Sequence, residues 1–377
     1  MPFFSIIIPL YNKENFIENT LKSVLAQTFN DFEIIVINDG STDNSESVVL
    51  KHHDKRIRYF SKDNQGVAIT RNLGIELAQS EFICFLDADD YWFPNFLEEI
   101  KYLIDKNLNQ KVFATAIEIQ TKKNTFPARY SIPKKDQFQI VDFFDSSQRE
   151  SIIRTSSSVF HKSVFETAGQ FDERLKISED TDLWIRIGLK YDIAFTPEVL
   201  SRYVYDQKSI SRNFNYIIED QFLEKYKELE LSNPKLKKYL DLNRFSATIK
   251  LKLTGNHQKA NELLKKIDLK NLSLKKQLIL KLPCFFLLHL IKLKQLLDKT
   301  PDAAENDNIK NRAVDYTKRK SINFIGVKKD RAPEQKARIY DPENLTLSYS
   351  YNEVKKQNYE VESFIDQQVN ATVDYTY

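Results

Sequence analysis

The sequence predicts an α/β fold, in which a mostly parallel sheet is flanked by helices and followed by a helical segment and a poorly ordered tail. Three observations favour this fold. Apolar runs alternate with amphipathic segments through residues 4–90, as in βαβ units. Polar clusters follow the apolar runs, where parallel sheets bind ligands. The 377 residues, 41% hydrophobic and 29% charged, suit a folded chain of two or three domains.

The apolar runs lack polar alternation, which is typical of strands buried on both faces. The segments between them have helical spacing. The predicted strands are residues 4–10, 32–38, 56–60 and 82–86, and the predicted helices are residues 14–27, 45–52 and 67–78. Further along, the pattern predicts strands at residues 113–119 and 157–161, and a helix that Ser178 is expected to cap.

Charge is distributed unevenly along the chain. The formal net charge is +3, yet residues 221–300 contain 18 Lys/Arg against 7 Asp/Glu. This asymmetry suggests three parts: an α/β domain at residues 1–215, a basic helical segment at 216–300, and a linker and tail at 301–377. Two tail segments, 345–351 and 369–375, alternate as strands do. They have no evident partners in the chain, so we expect the tail to be disordered.

Composition excludes several classes of protein. Two cysteines cannot form a disulfide framework or a cysteine-based zinc site, and five histidines leave little room for a histidine-rich metal site. The N-terminus lacks the features of a secretory signal, so a cytoplasmic location is expected. The basic residues of 221–300 have few aromatic residues among them, which argues against nucleic-acid binding.

The most apolar stretch, residues 282–291, lies inside the basic segment. It is shorter than the about 20 residues that span a bilayer. Two interpretations are open. The segment forms a basic amphipathic helix on the inner face of the cell membrane, or it is a helical subdomain that packs on the α/β domain.

The acidic motif after the fourth strand carries the clearest chemical signal. Asp87 and Asp89 are separated by one alanine, and both carboxylates would point the same way if the chain stayed extended. Two such oxygen ligands suit Mg²⁺ or Mn²⁺, which also bridge to substrate phosphates. An acidic surface loop is the alternative, and the apolar strand before the motif makes that alternative weaker.

Six motifs, in order and spacing over residues 1 to about 212, resemble the family 2 inverting glycosyltransferases. Each motif alone would be weak evidence, but together they are specific. The motifs are SIIIPLYN at 5–12, INDGSTD at 37–43, Gly66 with RNLG at 71–74, FLDADD at 85–90, GQFD at 169–172 and EDTDLW at 179–184. The resemblance implies a GT-A fold with a Rossmann-like sheet.

The resemblance also implies the donor site. The enzyme would use a nucleotide-sugar, most often a UDP-sugar, and Asp39 would hydrogen-bond the nucleotide base. Pro9 and Tyr11 would form the walls of the base pocket, and Arg71 would lie close to the nucleotide. Without the resemblance, Asp39 would be a turn or capping residue before Ser45, and Arg71 an ordinary arginine on a helix surface.

The resemblance further implies the roles of the acidic residues. Asp87 and Asp89 would hold Mn²⁺ or Mg²⁺ on the donor diphosphate, and Asp180 would be the general base. The acceptor would be a hydroxyl of a saccharide or lipid-linked molecule in cell-surface polysaccharide synthesis. Asp182 is the rival base, and the acidic residues at 179–182 also suit the start of a helix. Trp184 would line the acceptor pocket or belong to the core.

One loop departs from the family pattern. Val204 stands where an arginine is usual and Asp206 where a histidine is usual, and Lys208 or Arg212 could substitute for them. This departure keeps open a non-catalytic nucleotide-sugar-binding protein. A sugar nucleotidyltransferase is the other alternative, but it would need a glycine-rich loop after the first strand, and residues 9–14 contain no glycine.

Residues 315–377 faintly resemble a fragment of the outer-membrane protein of the gliding-motility and type 9 secretion machinery. The similarity lies at residues 320–327 and 344–353. So short a fragment cannot form a closed barrel, and no function is expected from it.

Overall fold

A computed structural model describes residues 1–121, 124–133, 138–204, 220–284 and 286–288, and the strands at 316–327, 345–357 and 364–375. The chain divides into two units, Met1–Asp298 and Lys299–Tyr377.

A ten-stranded sheet forms the centre of the first unit. Its strands are β1 (Phe4–Leu10), β2 (Phe32–Asp39), β3 (Ile57–Lys62), β4 (Phe82–Phe85), β5 (Tyr91–Trp92), β6 (Val112–Gln120), β7 (Thr125–Pro127), β8 (Gln139–Val141), β9 (Ser158–His161) and β10 (Ile193–Val204). The order is β3-β2-β1-β4-β9-β6-β10-β5, with β7 beside β6 and β8 beside β10. Strands β1 to β4 are parallel, whereas β9 is antiparallel to both of its neighbours.

Helices cover both faces of this sheet. Those before residue 205 are α1 (Ile17–Leu25), α2 (Ser45–Leu50), α3 (Val67–Leu77), α4 (Phe96–Lys106), α5 (Phe143–Ser146), α6 (Ser163–Ala168) and α7 (Glu179–Gly188). Successive residues of a strand face opposite sides. Ile6 and Ile8 accordingly pack with α1 and α4, while Ile7 packs in a second apolar cluster that includes residues of α3, α6 and α7.

The basic segment folds as a set of helices that shares this second cluster. They are α8 (Asp220–Glu224), α9 (Leu229–Ser232), α10 (Pro234–Leu253), α11 (His257–Lys265) and α12 (Leu274–Lys281). Phe222, Leu236 and Leu240 are buried in the same apolar cluster as Leu183 of α7. The segment thus packs on the α/β part, as the subdomain interpretation expects. No helix in the described part of the chain is both long and apolar enough to cross a bilayer.

The tail strands have partners, so the expectation that they lack them is wrong. In the second unit, β11 (Tyr316–Val327), β12 (Leu345–Gln357) and β13 (Phe364–Tyr375) form an antiparallel sheet with β12 in the middle. The backbone groups of β12 therefore pair on both edges. The linker predicted at the start of the 301–377 part lies outside the described residues.

Candidate active site

A cleft of about 440 Å³ opens beyond the carboxyl end of β4. It brings together Arg71 of α3, Asp87 and Asp89 after β4, and Asp180 of α7. Four of the predicted site residues, which are far apart in the sequence, therefore line the same cavity.

Asp87 and Asp89 lie on a tight turn. The expectation that the chain stays extended after β4 is wrong, since the Asp90 N–H donates to the Asp87 carbonyl at 2.9 Å. The Thr20 hydroxyl of α1 lies 2.9 Å from the Ala88 carbonyl oxygen and 2.8 Å from the Asp90 carbonyl oxygen. These contacts hold the turn against α1. Both acidic side chains still line the cleft, because the turn presents them to the same side.

Neighbouring side chains hold the carboxylate of Asp87. The Arg71 guanidinium donates to its Oδ1 at 2.8 Å, and the Thr155 hydroxyl donates to its Oδ2 at 2.9 Å. Lys13 forms an ion pair with Asp89 at 2.6 Å. Burial raises the pKa of Asp89, the charge of Lys13 opposes that rise, and the charge of Asp87 adds to it. The two aspartates thus form an acidic patch in which each carboxylate is paired with one cationic side chain.

The chemistry of this patch fits a divalent metal ion. Carboxylates facing one cavity are the donors that Mg²⁺ and Mn²⁺ prefer, and Asp87 and Asp89 already pair with the cationic groups of Arg71 and Lys13. The described residues contain no group of three or more His, Cys, Asp or Glu side chains arranged to hold a metal. An ion bound here would therefore complete its coordination with water and phosphate oxygens.

Arg71 connects the acidic turn to α7. It is buried and donates to Glu179 Oε1 at 2.9 Å as well as to Asp87, so it is not an ordinary surface arginine. Burial raises the pKa of Glu179 to about 7, the charge of Asp180 adds to this rise, and Arg71 opposes it. The turn that carries Asp87 and the helix of the predicted base are thus joined through one guanidinium.

The first turn of α7 separates the two candidate bases. Asp180 is partly exposed and lines the cleft, and its Oδ1 accepts from the Thr181 hydroxyl at 3.1 Å. Asp182 has no exposed surface and is paired with Arg186 and Lys225. Ser178 precedes the helix but makes no side-chain capping bond, so its predicted capping role is wrong.

The predicted base-binding residues lie apart from this cleft. The carboxylate of Asp39 accepts from the backbone N–H groups of Gln65 and Gly66, both at 2.9 Å, and from the Lys62 ammonium. Pro9 is half-buried in β1, and Tyr11 is 40% exposed in the loop after it. Asp39 is therefore engaged in holding the loop that leads into α3.

Sequence reasoning missed several residues of the cleft. Arg154, Thr155, Ser156 and Tyr239 line it, and the only local signal among them was a run of hydroxyl residues at 155–158. Thr155 and Ser156 contact Asp87, since the Asp87 N–H donates to the Ser156 hydroxyl at 3.1 Å. The ring of Tyr239 packs on α5, with its centroid 5.2 Å from that of Phe143.

Arg154 lines the cleft beside the atypical loop and forms an ion pair with Glu150. Its guanidinium carbon lies 5.7 Å from the centroid of the Tyr203 ring, and its Nε is buried without a partner among the described residues. Val204, where an arginine is usual, instead donates its N–H to Asp90 at 3.0 Å. Asp206, Lys208 and Arg212 fall outside the described residues.

Trp184 is a core residue that also borders the cleft, and its contact with an acceptor stays a prediction. It is buried and stacks on Phe160 with ring centroids 5.2 Å apart, which makes it a core residue. It also contributes to the lining of the cleft.

Comparisons with known proteins agree with the motifs. The family model described as Glycosyl transferase family 2 matches residues 5–168. An uncharacterized glycosyltransferase of Rickettsia typhi is 34% identical over 227 residues, which cover 59% of this chain and 70% of the relative. A similar protein of Rickettsia prowazekii is 34% identical over 203 residues, 53% of this chain and 63% of the relative. The chain thus spans about two thirds of the length of these relatives.

A solved structure shares the fold. TarS 1-349 of S. aureus, crystallised in complex with UDP-GlcNAc, superimposes with a TM-score of 0.51 at 20% sequence identity. The match covers 73% of this chain and 77% of TarS 1-349. At this level of identity the likeness establishes the fold.

Proposed function

Since this chain belongs to glycosyltransferase family 2 and has the GT-A fold, we propose that it transfers a sugar from a UDP-sugar, with inversion, to a hydroxyl of a saccharide or lipid-linked acceptor in cell-surface polysaccharide synthesis. One observation carries the proposal: Arg71, Asp87, Asp89 and Asp180 line one cleft. The UDP-sugar donor is supported by the shared fold with TarS, which was crystallised with UDP-GlcNAc.

In this proposal Asp180 is the general base. It takes the proton of the acceptor hydroxyl as that oxygen attacks the anomeric carbon from the face opposite the leaving group. Its partial exposure in the cleft supports this role. Asp182 is fully enclosed by ion pairs, which leaves no room for an acceptor hydroxyl.

The leaving group is a nucleoside diphosphate, so its growing negative charge must be balanced. Asp87 and Asp89 would hold Mn²⁺ or Mg²⁺, which when bound supplies Lewis-acid neutralisation of the diphosphate. Arg71 and Thr155 keep the Asp87 carboxylate facing the cleft. Arg154, which is paired with Glu150, lines the same cleft and would be a further cationic group near the diphosphate.

The nucleotide base would bind near Asp39, with Pro9 and Tyr11 as walls. An ionised carboxylate accepts about four hydrogen bonds. Gln65, Gly66 and Lys62 supply three donors to Asp39, so one further donor, a base N–H, can be accommodated.

The test combines binding with turnover. We expect UDP and UDP-sugars to raise Tm in a thermal-shift panel, and Mn²⁺ to increase the shift. Asp180→Asn should keep the shift and lower UDP release and sugar transfer by about 100-fold or more, the usual range for loss of a general base. Asp105→Asn, which removes an exposed carboxylate of α4, is the control and should behave as wild type. Wild-type turnover in Asp180→Asn would exclude Asp180 as the base, whereas a nucleotide-sugar thermal shift without UDP release or sugar transfer by the wild type would favour a non-catalytic nucleotide-sugar-binding protein.

Peripheral membrane contact is a second part of the proposal. On α12, Leu274 and Leu278 are 78% and 64% exposed, lie one turn apart, and are accompanied by the exposed Lys275. An apolar and basic surface of this kind suits an anionic bilayer at the inner face of the cell membrane.

Sedimentation with vesicles tests this contact. We expect binding to phosphatidylglycerol vesicles, weaker binding at high salt, and loss of binding in Leu274→Gln/Leu278→Gln and after removal of residues 276–300. Unchanged binding in both variants would exclude this surface.

A further inference from the structure

The first turn of α7 is held by contacts with other elements as well as by Asp180 itself, whose Oδ1 accepts from the Thr181 N–H at 2.5 Å and from the Thr181 hydroxyl at 3.1 Å. The first N–H groups of a helix have no partners within it and usually need a capping side chain. Ser178 supplies none, and its backbone is left-handed, with φ of 63°. The residues of the first turn on either side of Asp180 are bound instead: Glu179 by Arg71, and Asp182 by residues that follow α8.

Asp182 is anchored at both carboxylate oxygens. Lys225 donates to Oδ1 at 2.7 Å, and the Tyr226 hydroxyl donates to the same oxygen at 2.7 Å. Tyr226 also lies 3.1 Å from the backbone carbonyl oxygen of Asp182. Arg186, one turn along α7, takes Oδ2 with its Nε at 2.9 Å. Arg186 also donates to the carbonyl oxygens of Ala168 and Gln170, so it links Asp182 to that loop. Lys225 and Tyr226 link Asp182 directly to the segment that follows α8.

We propose that Lys225 and Tyr226 are positioning residues for the general base Asp180 and act through Asp182; this inference rests on the proposed function. Both residues lie beyond residues 5–168, where the family model matches. Arg71 holds Glu179 on one side of Asp180, and Lys225 and Tyr226 hold Asp182 on the other. Asp180 is therefore fixed between two anchors. Release of one anchor lets a first turn that Ser178 does not cap open more easily, and a base displaced by about 1 Å can lose about 100-fold in rate.

A matched pair of lysines separates positioning from stability. Lys237 binds Asp241 within α10 at 2.6 Å, as Lys225 binds Asp182, and both aspartates have 0% exposed surface. Lys225→Met and Lys237→Met each remove one cation from a fully buried carboxylate, so both should lower Tm. Tyr226→Phe keeps the ring in the core and removes the hydroxyl alone.

We expect Lys225→Met and Tyr226→Phe to lower kcat for UDP release by about 10-fold, as a small displacement of the base would, with KM for the donor unchanged. The probe is a mixture of UDP-glucose, UDP-galactose and UDP-N-acetylglucosamine with Mn²⁺. Amide hydrogen exchange of residues 179–183 should accelerate in the same two variants. Lys237→Met should keep wild-type kcat and wild-type exchange at α7, and Lys225→Arg should restore both.

The inference is overturned if the Lys225 and Tyr226 variants resemble Lys237→Met, with lower Tm but unchanged kcat and unchanged exchange at residues 179–183. Asp180→Asn, measured in parallel, distinguishes failure of the proposed function. Wild-type turnover in Asp180→Asn, or no UDP release by the wild-type chain, contradicts the proposed function, and the exchange data still show whether Lys225 and Tyr226 hold the first turn of α7.

Discussion

Glu179 is a buried carboxyl group that faces the guanidinium of Arg71 and neighbours Asp180 on its own helix. Burial raises its pKa from 4.5 to about 7. A carboxyl whose folded pKa is raised binds its proton more tightly in the folded state than in the unfolded state. Its contribution to stability is therefore fully present below about pH 4.5 and is lost as the pH rises through about 7.

We predict that the pH dependence of unfolding changes in Glu179→Gln, because glutamine imitates the protonated form. The free energy of unfolding of the wild type, relative to this variant, should fall by about 2 kcal/mol between pH 5 and pH 8. Urea unfolding at several pH values measures it. If the free energy of unfolding of the wild type relative to Glu179→Gln stays constant or grows with pH, the raised pKa of Glu179 is contradicted.

At the residue scale, sequence predicted the residues that motifs mark and missed those that only folding brings together. Arg71, Asp87 and Asp180 belong to the family motifs, and all three line the cleft. Their chemical roles stay predictions. Arg154 and Tyr226 carry no local signal, since each gains its meaning from a partner distant in sequence, such as Asp182 for Tyr226. Periodicity and short motifs cannot report such contacts.

At the element scale, α3 packs unusually close to the central strand β1. A Cβ atom added at Gly74 would lie 2.3 Å from Cγ2 of Ile7, which is fully buried. The family motif at residues 71–74 therefore has a packing reason in this chain: its glycine lets the helix that carries Arg71 lie against the sheet.

We predict that Gly74→Ala lowers the free energy of unfolding by about 1–3 kcal/mol, as overpacking of a core does, despite the better helix propensity of alanine. Glu76→Ala, at an exposed position of the same helix, is the control and should stay within about 0.5 kcal/mol of wild type. Chemical denaturation measures both. A neutral or stabilising Gly74→Ala would show that α3 moves away from β1 without cost.

The elements themselves were predictable where their patterns were simple. The first four strands were found within two residues of their ends. For β1, β2 and β4 the reason is that runs buried on both faces are continuous and apolar, whereas β3 is only partly buried. Strand β10 was missed, since Pro197 and Glu198 interrupt its pattern and its register with β6 shifts between Thr196 and Val199. The turn after β4 was also missed, because Asp87 to Asp90 are compatible with either an extended or a turning chain.

At the scale of the whole molecule, the segment after residue 219 contributes side chains to the apolar core of the α/β part. It buries Phe222, Tyr226, Leu236 and Leu240 in the cluster that covers one face of the sheet. Full burial of one large apolar side chain contributes about 1.5–3 kcal/mol, and a domain has a net stability of about 5–15 kcal/mol. Burial of these four side chains therefore contributes about as much free energy as the whole net stability of a domain.

We predict that a chain ending at residue 215 does not unfold cooperatively. It should show a low, broad thermal transition and bind a dye specific for exposed apolar surface. A chain ending at Asp298, where the first unit ends, is the control and should unfold in one sharp transition. Cooperative unfolding of the shorter chain would show that the α/β part is an independent domain.

The tie between Asp182 and Tyr226 also orders events during synthesis. A ribosome releases the acidic turn and Asp180 well before Tyr226 leaves the exit tunnel. Until then the first turn of α7, which carries the proposed base, has only the anchor between Arg71 and Glu179. We therefore expect competence to turn over an activated sugar to arise late in translation, after the helices beyond residues 5–168 have emerged.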